Sequence, residues 1–374
     1  MLLLRIFYLM GLIAIIVLCP TADGDSLKAD TVKSKEDIAF DSELASKDQD
    51  YFDKVFKVLV KAADEGDPEA MYLLGKIYDE GIVLDQDCEK AYSWYILAAE
   101  QQHVGAMLRI ADLYNEGRGR EQDHVKELEW YHKAADLGSA KAFCNIGKCY
   151  MESEGVPQDY QQALEWFQKA ADLGDAEGHY EIGVIYLNGY GVDPDLGEAF
   201  DQFSTAADLG SRSAQYNLGC MYSYGDGVDQ DFEEAYNWFM KAADRGDSLA
   251  QYNIGYMYQH GEFVDVDYKK ALEWYRPSAD RGCVESMNAI GIAYQKGLGV
   301  DVNYAEAGKW YLKAAEKGFP SAQCNLGLLY HRISMNEEEN IVDEEMLAQA
   351  KYWIQKAAEA GHQGAQNYIY RNDW

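Results

Sequence analysis

The chain has 374 residues with 48% apolar content and only 6 prolines, a composition that excludes a disordered chain and suits a helical one. Its formal net charge of −31 repels phosphates and anionic lipid headgroups, which excludes nucleic-acid binding. Tyrosine is abundant, at 29 residues, and the 33 glycines are placed regularly.

The first element is a targeting segment. Arg5 precedes an apolar run from Ile6 to Leu18; a membrane-spanning helix needs about 20 apolar residues, so the run is short for that role. Ala22 and Gly24 are small residues spaced for export cleavage, so residues 1–24 are expected to be a signal peptide. An uncleaved anchor, lengthened by Leu2–Leu4, is the alternative, and it is the one membrane contact expected. Residues 25–50 are polar and charged and read as a flexible tether. Residues 51–66 read as an N-terminal capping helix, because Lys61-Ala62-Ala63 matches Lys133-Ala134-Ala135 and Lys169-Ala170-Ala171 farther along.

From residue 67 to 361 the chain repeats itself eight times at a period of 36. Gly75, Gly147, Gly183, Gly219, Gly255, Gly291 and Gly327 are in register, with Ala111 at the one gap. A small residue lies five positions before each, Leu or Ile just before it, and Tyr three positions after it. Small, branched and aromatic positions at i, i+4 and i+8 form one stripe of a helix, here called helix A. The glycine beside the stripe lets another helix approach, which offsets the roughly 1 kcal/mol glycine penalty in a helix. A second helix, B, carries Ala91, Trp94, Tyr95 and Ala98 in the first copy, with tryptophans again at 130, 166, 238, 274 and 310. Asp87, Asp123, Asp159, Asp195, Asp231, Asp267 and Asn303 stand where helix B needs an N-cap. Gly66, Gly138, Gly174, Gly210, Gly246, Gly282, Gly318 and Gly361 stand where it needs a left-handed C-terminal residue. The last copy carries an insertion, His331 to Asp343, and residues 362–374 read as a C-terminal capping helix. The expected fold is therefore all-α: a right-handed α/α superhelix, a solenoid of eight 36-residue helix-turn-helix repeats, each too small to bury its own stripe.

Ala-x-x-x-Leu-Gly-x-x-Tyr, then Gly-x-Gly-Val, then Ala-x-x-Trp-Tyr-x-Lys-Ala-Ala-x-x-Gly is the consensus of these units. It resembles the Sel1-like repeat family, a tetratricopeptide-like α-solenoid; Ala214 to Gly219 and Trp310 to Ala315 match closely. The resemblance spans residues 51–370 and implies adaptor work: scaffolds in endoplasmic-reticulum degradation, in envelope assembly, or in secreted bacterial factors. Departures are Ala111 for glycine, Gln202 for tryptophan, Pro277-Ser278-Ala279 for Lys-Ala-Ala, and the insertion.

In related helical arrays helix A lines the concave face, so positions beside the buried stripe are expected to face a partner. Asparagine amides can pair with both N–H and C=O of an extended peptide, and tyrosine adds apolar area plus a hydroxyl. Asn145, Tyr180, Tyr216, Asn217, Tyr252, Asn253 and Asn325 form the expected partner-binding strip; the competing reading is that these asparagines tie adjacent repeats together. The partner is expected to be a protein or peptide.

Catalytic, metal and cofactor signatures are not found. The histidines form no His-Glu-x-x-His pattern, with His124 and His132 eight residues apart, and the Asp226–Glu234 carboxylates do not fit an EF-hand loop. No nucleophile elbow or phosphate loop occurs. The cysteines do not recur as one pair per repeat and read as small buried hydrophobes. A non-catalytic exported scaffold is the expectation; a luminal degradation adaptor, a periplasmic hydrolase with an unrecognised site, or an envelope brace are the alternatives. Without an Asn-x-Ser/Thr sequon or a terminal retention signal, the expected compartment is periplasmic or secreted, ahead of the endoplasmic-reticulum lumen.

Overall fold

The structure, a computed structural model, describes residues 44–81, 84–336, 341–372 and 374. The signal peptide expected at 1–24 lies outside the described residues, as do residues 25–43 of the expected tether. The tether's far boundary is corrected: residues 44–50 belong to helix α1 (Leu44–Asp64), which starts ahead of Tyr51. Phe52, Val55, Leu59 and Ala63 lie at helical spacing on its buried stripe.

The chain divides into two compact units, Met1–Leu173 and Gly174–Trp374. In the first, α1 is followed by the pairs α2 (Pro68–Glu80) and α3 (Cys88–Glu100), α4 (Val104–Glu116) and α5 (His124–Asp136), and α6 (Ala140–Glu152) and α7 (Tyr160–Asp172). The second unit begins with α8 (Ala176–Asn188) and α9 (Leu196–Asp208), α10 (Arg212–Tyr224) and α11 (Phe232–Asp244), and α12 (Ser248–His260) and α13 (Tyr268–Asp280). It continues with α14 (Val284–Lys296) and α15 (Tyr304–Glu316), α16 (Pro320–Ser334) and α17 (Glu344–Glu359), and the closing α18 (Gln363–Asn372). Within each unit every helix packs on the next one along the chain, the order a helical-repeat solenoid requires.

The glycine of helix A works by close approach. A Cβ at Gly219 would sit 2.5 Å from the Phe239 ring, and at Gly75 2.4 Å from the Tyr95 ring. The aromatic is the residue after the helix B tryptophan or its equivalent, and Tyr95, Phe167, Phe203, Phe239, Tyr275 and Tyr311 are all buried. Where Ala111 replaces the glycine, Tyr131 stays buried and its hydroxyl donates to Asp112 Oδ1 at 3.2 Å. In the last repeat Ile354 takes the aromatic's place over Gly327.

The punctuation is as the spacing demands. Asp231 Oδ1 accepts from the Glu233 and Glu234 amides at 2.9 and 3.1 Å, and the other helix B caps repeat the contact. The helix B glycines are left-handed, with φ from 77° at Gly174 to 100° at Gly282. Within the expected insertion, His331 to Asp343, α16 runs on to Ser334, and β1 (Met335–Asn336) and β2 (Ile341–Val342) pair antiparallel, Met335 opposite Val342. Among the described residues, no helix is long and apolar enough to cross a membrane.

Candidate functional site

Seven sequence-predicted residues divide between the two units. Asn145 lies half-buried on α6 in the first. The other six lie half-buried in the second, on A helices. Tyr180 packs on Phe203 with ring centroids 5.7 Å apart, and Tyr216 packs on Phe239 at 5.9 Å. Tyr252 packs on both Tyr275 and Tyr256, at 5.7 and 6.3 Å. The tyrosines three positions before the repeat glycine therefore lean on the buried aromatic of their own helix B, with part of each ring left open.

The asparagines reach between repeats. Asn325 donates to Asn288 Oδ1 at 2.9 Å. The Asn253 amide stands close enough to the Tyr216 hydroxyl to oppose the rise that burial gives its pKa. In the first unit Arg109 does the same to Tyr72. Each of these joins one position of helix A to the position 37 residues on, in the next helix A. Asn325 thus bonds the preceding helix A, and Asn217 is half-buried at the equivalent place on α10.

Tyr216, Tyr252 and Asn253 also come together around a cavity of about 460 Å³, whose other walls are Cys220, Ser223, Tyr224, Gln230, Phe232, Phe239, Tyr256, Met257 and Glu262. A second cavity of about 220 Å³ adjoins it through Tyr252 and Tyr256 and is lined farther on by Gln259, His260, Tyr275, Glu285, Asn288, Ala289, Ile292 and Phe319. Helices α10, α12 and α14 supply most of both. Tyr180, Asn217, Asn145 and Asn325 line neither.

The chemistry of the lining is that of neutral donors and aromatic faces. Burial pushes the Tyr252 hydroxyl up to about 12, holds the Tyr216 hydroxyl well above its ordinary value and raises the Cys220 thiol. At neutral pH these groups stay protonated, so none is a ready nucleophile or base. The carboxylates of Glu262 and Glu285 are on the walls, and the lining includes no Lys or Arg. Such a surface can stack against a planar or cationic side chain and hydrogen-bond an extended backbone.

Tyr224 and Glu262 escaped the sequence reading. Tyr224 is 76% exposed at the last position of α10. The equivalent residues of the other repeats are Glu80, Glu116, Glu152, Asn188, His260, Lys296 and Arg332. An exposed aromatic where its neighbours are polar was a usable signal, visible once the last helical position is compared across repeats.

Comparison with known proteins supports the repeat assignment residue by residue. The Sel1 repeat model matches residues 68–103, 104–139, 140–175, 176–211, 212–247, 248–283, 284–319, 320–332 and 347–362. A solved structure of a protective antigen present in uropathogenic Escherichia coli strains, which displays an SLR fold, superposes with a TM-score of 0.66 at 32% identity, covering 84% of this chain and 67% of that one. A Sel1 repeat protein from Oxalobacter formigenes superposes with a TM-score of 0.61 at 31% identity, covering 67% of this chain and all 100% of that one. No curated protein matches. With the glycine-under-aromatic packing present in successive helix pairs and the family model matching most of the chain, this protein belongs to the Sel1 repeat family.

Proposed function

We propose that this protein is an exported, non-catalytic scaffold that holds a basic, extended segment of a partner protein along α10, α12 and α14. Sel1 repeat proteins are in general protein-interaction scaffolds, which sets the broad class. The two adjoining cavities, sharing the rings of Tyr252 and Tyr256, carry the finer reading. Their aromatic walls favour a cationic side chain, and Glu262 and Glu285 supply counter-charge without a competing lysine or arginine. The chain's charge of −31 adds a long-range attraction for a basic partner. The Asn253 amide and the Tyr216 hydroxyl line the larger cavity, where an extended backbone could be bonded.

Export is supported by the short apolar run Ile6 to Leu18 followed by Ala22 and Gly24. The likeness to an antigen of a uropathogen accords with it. The periplasm or the extracellular medium is the proposed location.

Binding is tested with a set of extended peptides of equal length, rich in Lys and Arg, in Asp and Glu, or uncharged. The basic set should bind and the others should not. A Tyr224→Ala, Tyr256→Ala variant, which removes two exposed rings from the cavity wall, should weaken binding by about tenfold or more while retaining the wild-type melting temperature within a few degrees. Equal affinity for all three sets, or binding unchanged in the variant, counts against this surface. Intact mass of the protein recovered outside the cytoplasm should show a chain beginning at Asp25; a chain beginning at Met1 and confined to the cytoplasm would remove the export reading.

A further inference from the structure

In the first unit, one repeat breaks the pattern of the others at several positions that meet in space. The fourth residue of helix B is alanine in the pairs around it: Ala91, Ala163, Ala199, Ala235, Ala271 and Ala307, all buried. In α5 that residue is Glu127, and its carboxylate is 1% exposed. The first residue of helix B is aromatic in α7, α11, α13 and α15, but in α5 it is His124. Cys149 of α6 stands where the neighbouring A helices carry Leu113 and Ile185.

These replacements build a polar pocket inside an apolar stack. His124 Nδ1 lies 2.8 Å from Glu127 Oε2, and Asn115 Nδ2 donates to Glu127 Oε1 at 2.9 Å. The turn after α6, part of the next repeat, folds against the start of α5; a Cβ at Gly155 would come within 2.3 Å of the His124 carbonyl oxygen. That turn brings in Glu154. One ligand atom from each of His124, Glu127 and Glu154 lies within 4.8 Å of the other two. Tetrahedral ligands at about 2.0–2.1 Å from a zinc ion sit roughly 3.4 Å apart, so side-chain rotation of the half-buried Glu154 closes the set.

A buried carboxylate is costly unless something positive answers it. We propose that His124, Glu127 and Glu154 form a site for a first-row divalent cation such as Zn²⁺, with Asn115 orienting Glu127 and a fourth position left to water. One nitrogen and two carboxylate oxygens are a donor set suited to such an ion. Spacing within one helix does not reveal it, because the third donor comes from the following repeat.

The experiment is a calorimetric titration of the EDTA-stripped, dialysed protein with Zn²⁺ alone, and separately with Mn²⁺. Glu127→Ala and His124→Tyr each restore the residue type of the other repeats, so both variants should fold, which circular dichroism and a melting curve verify. Wild type should take up one equivalent saturably and melt higher with the ion present. Glu127→Ala and His124→Tyr should lose that equivalent and the rise in melting temperature, and Asn115→Leu should weaken it by about 10- to 100-fold. Absence of a stoichiometric equivalent in the wild type overturns the proposal, and so does an equivalent that persists in either Glu127→Ala or His124→Tyr.

Discussion

Departures from the repeat are locally compensated. In α13 the expected Lys-Ala-Ala is Pro277-Ser278-Ala279, and Ser278 is fully buried. Its hydroxyl donates to the Ser248 carbonyl oxygen at 2.6 Å. Ser286, another buried serine at a position that is otherwise mostly alanine, donates to the Ser278 hydroxyl oxygen at 2.7 Å. Ser286 makes sense only with Ser278, because a buried hydroxyl needs a partner, while Ser278 is also satisfied by the Ser248 carbonyl. Ser278→Ala should therefore destabilise the protein by about 1–3 kcal/mol, since it strands the Ser286 hydroxyl. The double variant Ser278→Ala, Ser286→Ala should recover about 1 kcal/mol or more of that loss, because it removes the stranded group and restores two alanines. Urea unfolding of the four proteins in a double-mutant cycle measures the coupling. A double variant as unstable as the sum of the singles would show that the two serines act independently.

At the scale of the helix, two devices recur: the glycine seat and the acidic cap. Gly219→Ala gains helix propensity of about 1 kcal/mol but drives a methyl group into the Phe239 ring, at a cost of about 1–3 kcal/mol. The expected net result is a modest loss of stability, read as a lower urea midpoint; a gain would mean that the ring relaxes freely, as it has around Ala111. The caps bring pH into play. Hydrogen bonds from the Lys90 backbone amide and side chain hold the half-buried Asp87 carboxyl below its ordinary 3.8, and Lys126 does the same for Asp123. A carboxyl lowered by folding contributes stability that is fully present above 3.8 and is lost as pH falls through the lower, folded value. The variant Asp87→Asn, Asp123→Asn keeps both caps but has nothing to titrate there. Its melting temperature should fall less steeply than that of the wild type from about pH 4 downward. Parallel acid slopes for the two proteins would show that these caps contribute nothing to the pH dependence.

At the scale of the molecule, what could be read from sequence was what repeats. The period, the glycine seats, the helix B caps and the left-handed glycines are local requirements met many times over, so each copy confirms the others. Tyr252 and Asn253 were legible for the same reason, as they flank the stripe of every helix A. The His124–Glu127–Glu154 cluster was not, because its third member lies one repeat away and a periodic reading averages out single departures; Tyr224 shows only when the last helical position is compared across repeats. The start of α1 at Leu44 was missed because its first turns carry little apolar signal. Nearest-neighbour packing also predicts how damage spreads. Phe239 fills the seat over Gly219, and its cluster joins α11 and α12 with flanking residues from α10 and α13. Phe239→Ala should cost about 3–5 kcal/mol locally. In a stack whose members touch only adjacent ones, that loss should be confined. Native-state hydrogen exchange should therefore quicken by a factor of about 100 or more in α10 to α12, a gain bounded by the lost local stability, and stay near its wild-type rate in α16 and α17, which share no residue with that cluster. Uniform acceleration through the whole second unit would mean instead that its repeats open together as one cooperative block.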